Sequence, residues 1–316
     1  MNYSNLVNRA FILSWKHKIL WILGFFAASF GTFSGLDDII EYWSDKHSMD
    51  TDNYFFENII DWFQNNPEIS VALILFIVGA ALLLGLILFV LGQISIAGLI
   101  EGVIRIEGGR EYKLRQLFKV GASFFWRYIG LLFIFIGIGI VFGIVLIAPI
   151  VIAFVIAKVL GVLGILIGIP ILFAGIFFFG NIYSLAQREI ISNQTPVTRA
   201  IGEGYHLVVK NLGPNIVIFL IEMFLSIAIV IAGLIIIAMF AIPMYLLAAV
   251  STLWLVLILL LGIPIFLWVI IVVEGFLGTF FNSLMTLFYI ELRKITPPRP
   301  GPQIYPGPTP EGTPAG

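Results

Sequence analysis

Glu222 and Glu274 are carboxylates set inside long runs of apolar residues. A charge at membrane depth is costly, and one that is kept commonly binds a cation, relays a proton or holds a lipid amine. A protonated or interhelically hydrogen-bonded glutamate is the structural alternative. The two are not expected to form one site. With a hairpin turn near residue 252, Glu222 lies about 30 residues from the turn and Glu274 about 22. At about 1.5 Å per residue, their depths differ by roughly 12 Å unless a kink shortens one helix. Glu101 stands four residues before Arg105. That is the spacing of a helix-surface ion pair, worth a few tenths of a kcal/mol when exposed, and it reads as structural.

The remaining chemistry-bearing residues exclude more than they suggest. The chain has no cysteine, which removes disulfides, thiol catalysis and thiolate metal sites. His17, His47 and His206 are far apart and are expected on different sides of a membrane, so they make no metal cluster. There is no phosphate-cradling glycine loop with its lysine and no His-Glu-x-x-His. No catalytic residue, cofactor or metal site is expected, and the chain does not read as an enzyme. The net charge of −1 suggests neither nucleic acid nor an acidic partner.

The elements that must position these residues are membrane helices. Of 316 residues, 60% are hydrophobic and 11% charged, and the mean hydropathy is +1.07. Soluble domains carry about 25% charged residues, so lipid must be the solvent for most of this surface. The apolar runs are long and do not alternate, which predicts helices. Six transmembrane spans are expected, at about 19–35, 69–106, 129–157, 159–187, 214–250 and 253–290. Pro149, Pro170, Pro243 and Pro264 are expected to kink them. The fold class is all-α and polytopic, with one membrane domain over 1–295.

Basic residues set the orientation. The segment 34–68 between the first two spans holds nine acidic residues and one basic residue, Lys46. Lys158 is expected on the same side, and the other fifteen Lys and Arg flank the opposite ends. Both termini are therefore expected in the cytoplasm of a multi-pass cytoplasmic membrane protein. The N-terminus does not read as a cleavable signal peptide. Apolar residues 54–63 predict a short helix on the outer membrane surface. The Pro- and Gly-rich tail, 296–316, is expected to be disordered and cytoplasmic, with docking to a protein partner open.

Gly168-Ile169-Pro170-Ile171 recurs as Gly262-Ile263-Pro264-Ile265, 94 residues on, and Pro149 and Pro243 keep the same offset. Amphipathic segments precede the first, third and fifth spans. One has Leu114, Leu117, Phe118 and Gly121 on one face. Another has Thr195 as the expected N-cap and Pro196 at the first helical position. The interval Gly204–Gly213 matches Gly121–Gly130, and Arg9-Ala10 matches Arg199-Ala200. Three divergent helix-hairpin repeats follow, at about 3–107, 112–190 and 195–293, each opening with a cytoplasmic-side interfacial helix. The third is longer than the second, and Glu222 lies in its extension. Gly98-xxx-Gly102, Gly139-xxx-Gly143 and Gly164-xxx-Gly168 have helix-packing spacing.

On Arg9-Ala10 to Trp15, Lys18, Leu20-Trp21 and Gly24, on Phe125-Trp126-Arg127 to Gly130, on Ala200 to Gly213 and on Phe288-Tyr289-Ile290-Glu291-Leu292-Arg293, the chain resembles a broad group of uncharacterised prokaryotic membrane proteins. That group is similar to the membrane domain fused to glycerophosphodiester phosphodiesterases. The resemblance implies six spans with interfacial helices. It implies no catalysis, because the fused soluble barrel has no counterpart here. The leading expectation is a non-enzymatic, lipid-interacting accessory or membrane-organising protein. The alternative is a small transporter or lipid-translocating permease using Glu222 or Glu274.

Overall fold

The computed structural model describes residues 1–32, 65, 67–248 and 258–299. It consists of helices α1 (Tyr3–Lys16), α2 (Leu20–Thr32), α3 (Pro67–Glu107), α4 (Leu114–Ile156), α5 (Lys158–Asn193), α6 (Val197–Lys210), α7 (Leu212–Ala248) and α8 (Ile263–Ile295). A π-helical turn, Ile258–Gly262, leads into α8. No strand occurs among the described residues. The acidic segment from 34 to 64, with Lys46, His47 and the expected surface helix at 54–63, residues 249–257 with the expected hairpin turn, and the tail beyond 299 lie outside them.

Five helices, α3, α4, α5, α7 and α8, are long and apolar enough to cross a membrane. A sixth crossing follows only if α1 and α2, bent by 111° at their junction, count as one span. The described part of α2 has 13 residues, or about 20 Å of rise against a hydrocarbon core of about 30 Å. This is a polytopic helical membrane protein. Every described side chain of α3 from Pro67 to Ile87 is exposed, and the α4–α5 hairpin exposes apolar residues such as Phe133, Val155 and Leu166. In water such surface would aggregate; in lipid it is already solvated.

The buried core is gathered at the opposite end of the bundle, where α1 and α6 pack. Leu6, Ala10 and Leu13 of α1 recur at helical spacing, and they join Leu20 and Leu23, Leu99, Leu117, Leu185, Leu207, Leu284, Phe288 and Leu292. Asn2 caps α1 by accepting from the Asn5 amide at 3.1 Å. Lys16 in its last turn suits the helix dipole. The Trp21 indole donates to the Ser14 carbonyl at 2.7 Å and fixes the bend into α2.

The packing has an order. The three segments expected to be amphipathic each pack on a preceding helix in cyclic sequence: α1 on α8, the start of α4 on α3, and α6 on α5. A Cβ on Gly121 would run into the Ile94 carbonyl of α3, and one on Gly204 would stand 2.9 Å from the Ile182 carbonyl of α5. Helix α2 sits between α8 and α3, and α4 between α3 and α5. Glycines allow both close approaches. Gly24 meets Gly275 and Gly278 across α2 and α8, where the Thr279 hydroxyl also donates to the Leu20 carbonyl at 3.0 Å. Gly98 and Gly102 seat Leu117, and Gly164 and Gly168 seat Ile150. By the same order α7 would lie between α5 and α8. Instead its main contacts among the described residues are with α5 and α6, and it meets α8 little. Its glycines, Gly213 and Gly233, face open space and offer no seat for a neighbour.

Four expectations need correction. The second amphipathic segment is no separate helix, because Leu114–Ile156 is one unbroken helix of 43 residues. Thr195 does not cap α6. Its hydroxyl turns back to the Glu189 carbonyl at 3.3 Å, and Pro196 occupies the cap position with extended backbone. Gly139 and Gly143 contact nothing within 4 Å, so they face outward and not into a helix interface. The two Gly-Ile-Pro-Ile copies differ locally. The first lies within an unbroken α5, and the second straddles the π-helical turn and the first turn of α8, where a proline needs no donor.

Candidate functional site

A polar cleft of about 510 Å³ opens within the bundle. That lies in the range of about 300–1,000 Å³ typical of small-molecule sites. Six helices supply its polar and apolar walls, with Ala27 from α2. Gln93 comes from α3, Leu132 from α4, Tyr183, Ser184, Gln187 and Arg188 from α5, Glu222 and Ser226 from α7, and Asn282 and Met285 from α8. Spacing explains the register. Tyr183 and Gln187, Ser184 and Arg188, and Glu222 and Ser226 are each four apart, so each pair stacks on one helix face.

Arg188 is held from behind. Its Nη1 donates to the Ser184 carbonyl at 2.7 Å and to the Ser184 hydroxyl at 2.8 Å. The residue is only 3% exposed, yet its Nε has no protein partner. Gln93 is 5% exposed, and its Oε1 has no protein partner either. Glu222 is half-buried and makes no hydrogen bond or ion pair, and no ion pair within 4.0 Å joins it to Arg188. The cleft is thus lined by a guanidinium, a carboxyl group and an amide, and Arg188 Nε and Gln93 Oε1 are buried at its wall without protein partners.

Glu274 is not part of it. It is half-buried on α8, beside the Gly275 that packs against α2, and makes no hydrogen bond or ion pair. Glu101 and Arg105 do meet, with Arg105 Nε donating to Glu101 Oε1 at 2.5 Å. Sequence reasoning singled out Glu222 but not Arg188, Gln93 or Asn282. In sequence Arg188 reads as one more basic residue flanking a span. Gln93 and Asn282, polar residues in apolar runs, carry the signal that could have added to Glu222.

A second polar cluster ties the helix ends together. Glu189, almost fully buried, accepts from the Tyr289 hydroxyl at 2.7 Å and from Asn193 Nδ2 at 2.8 Å, and pairs with Arg293. Arg293 also donates to Glu203 at 3.0 Å, and Arg299 donates to Glu203 at 3.2 Å. Burial opposes ionisation of Glu203, but hydrogen bonds and charge from Arg293 and then Arg299 outweigh it and hold the carboxyl below its usual value. Arg9 bridges Glu107 and Glu291, and Lys294 adds to Glu291 at 2.8 Å. His17 Nδ1 and the Tyr112 hydroxyl are 2.8 Å apart. Burial, and next Lys16, keeps that imidazole below its ordinary pKa. These contacts lock α1, α3, α5, α6 and α8 together at one end of the bundle.

An apolar groove of about 700 Å³ lies between α1, α7 and α8, lined by residues such as Val7, Phe11, Leu225, Phe276 and Phe280. Phe11, Trp15, Trp21 and Phe276 form one aromatic cluster beside it, with ring centroids 5.6–6.2 Å apart. Phe11 and Trp15 remain half-exposed, and Lys18 stands over the Trp15 ring. Among the described residues, no group of three His, Asp or Glu side chains could hold a metal ion. No protein-family model, curated protein or solved structure matches the chain.

Proposed function

We infer that this chain is a non-enzymatic, lipid-binding protein of the cytoplasmic membrane with both termini in the cytoplasm. The observation that carries the reading is the apolar groove under α1, which opens beside an exposed aromatic cluster. α1 buries Leu6, Ala10 and Leu13 on one face and exposes Phe11, Ile12 and Trp15 on another. A helix with a second, exposed apolar face flanked by Lys16 and Lys18 suits the headgroup boundary, where aromatic rings and cations anchor. The amphipathic α6 fits the same level: it buries Ala200, Leu207 and Val208 and turns Arg199 and Lys210 outward. The cyclic packing supports descent from three hairpin units, with α7 as the member that left its seat. The bias of basic residues supports the orientation.

Gentle solubilisation followed by native mass spectrometry tests this. The expected result is phospholipid retained on the intact protein. Lipid-free protein, together with an unchanged membrane composition when the protein is lost, would sink the reading.

A second reading is favoured by one observation. The polar cleft is partly walled by α7, which among the described residues is the helix least tied to its neighbours. A wall free to move is what a small permease needs, although successive units start on the same side and so form parallel repeats, not inverted ones. Lipid scrambling or solute uptake in proteoliposomes, compared with Glu222→Gln and Glu274→Gln, decides. Flux abolished by Glu222→Gln supports the permease. Absence of flux across a broad panel rejects it.

A further inference from the structure

We propose that the seam between α7 and α8 binds a phospholipid whose headgroup carries a phosphate and a primary amine. The phosphate would sit on Arg188, the ammonium on Glu222 and Gln93, and an acyl chain in the apolar groove. This rests on the reading above that the protein binds lipid.

Charge complementarity comes first. Arg188 and Glu222 face one cleft without touching. In a low-dielectric setting, two free opposite charges that could reach each other would close into a pair. Arg188 is restrained by its two bonds to Ser184, which fix the guanidinium at the cleft wall with its buried Nε–H unpartnered, and a small shift of the wall would bring that donor to a ligand. A phosphate oxygen accepts from that donor with charge assistance. On the other wall, Gln93 Oε1 can only accept, and so can the Glu222 carboxylate when ionised. Both therefore call for a donor cation. A single ligand with an anion and an N–H-bearing cation satisfies all three groups at once. A trimethylammonium has no N–H to give Gln93, and a glycerol headgroup brings no cation to Glu222.

The apolar groove selects a lipid over a soluble zwitterion. The groove and the cleft share α7 and α8 and occupy adjoining arcs of each. On α7, Leu225 lines the groove and Ser226 the cleft. On α8, Phe280 lines the groove and Phe281 the cleft. A molecule with a zwitterionic head and an apolar chain spans the two. Among the described residues α7 meets α8 little, and the seam between them is where head and chain would join.

The test uses the full chain in nanodiscs of equal parts ethanolamine, choline and glycerol phospholipids with identical acyl chains. Bound lipid is then read by native mass spectrometry after mild release. The ethanolamine lipid is expected to be enriched roughly tenfold over both others, the change made by losing one hydrogen bond to a charged group. Glu222→Gln, nearly isosteric, should abolish the ethanolamine-over-choline preference while lipid stays bound. Arg188→Lys should lower retention of all three, and Glu274→Gln should change nothing. If Arg188→Lys fails to fold, Glu222→Gln decides alone. Bound lipid without headgroup preference, or a preference that survives Glu222→Gln, overturns the headgroup assignment and leaves lipid binding standing. Protein that retains no lipid at all overturns both. Free glycerophosphoethanolamine that displaces the lipid at equal concentration overturns the lipid assignment in favour of a soluble zwitterion.

Discussion

Arg293 reaches two carboxylates at once, Glu189 and Glu203, and is itself only 11% exposed at its side chain. A buried ion pair adds little over apolar packing, but removing one partner strands the other. Arg293→Ala leaves the Glu189 carboxylate buried with only Tyr289 and Asn193 as donors. The expected cost is roughly 3–5 kcal/mol, the range for breaking a buried pair. Thermal unfolding in detergent measures it. Glu101→Gln, which loses only the partly exposed contact to Arg105, should change stability by no more than about 1 kcal/mol. At this scale the sequence was partly legible. Glu222 and the Glu101–Arg105 spacing stand out against apolar or helical background. Arg188 and Glu189 do not, because a charged pair near a helix end looks the same whether it faces water or a neighbouring helix.

At the scale of elements, glycine placement decides which helices touch. Gly24, Gly275 and Gly278 bring the backbones of α2 and α8 into contact, and no rotamer change relieves a Cβ that meets a carbonyl oxygen. Gly24→Ala is therefore expected to cost about 1–3 kcal/mol or more, the usual price of overpacking. Gly139→Ala, whose Cβ would meet nothing within 4 Å, should be neutral or slightly stabilising within its helix. Unfolding midpoints and monodisperse yield of the two variants, compared side by side, check the difference. Equal losses would show that the close approach of α2 and α8 does not govern these positions. Most element bounds could be read in advance from the apolar runs, including the break at Ala157 between α4 and α5. The separate second interfacial helix could not, since a polar face beside an apolar one says nothing about whether the backbone bends. Small-xxx-small spacing was equally ambiguous: Gly98-xxx-Gly102 packs and Gly139-xxx-Gly143 does not.

For the whole molecule, topology makes the broadest prediction. The chain contains no cysteine, so a single engineered one reports its own side of the membrane. Lys158→Cys, at the α4–α5 turn, is expected to react with an impermeant thiol reagent applied to intact cells. Lys119→Cys and Lys294→Cys should react only after permeabilisation. The reverse pattern would invert the molecule and move the core, the ion-pair cluster and α1 to the outer face. The sequence by itself determined that this protein is a helical membrane protein, because hydropathy and run length depend on composition along the chain and lipid rewards them directly. It also placed most helices, the α4–α5 turn and one of the cleft's two charges. Only the tertiary structure decided which helices are neighbours, that α7 meets α8 little among the described residues, and that Arg188, Gln93 and Glu222 line one space. Those outcomes depend on backbone approach distances and helix rotation, set jointly by residues far apart in the chain, and no local pattern encodes them.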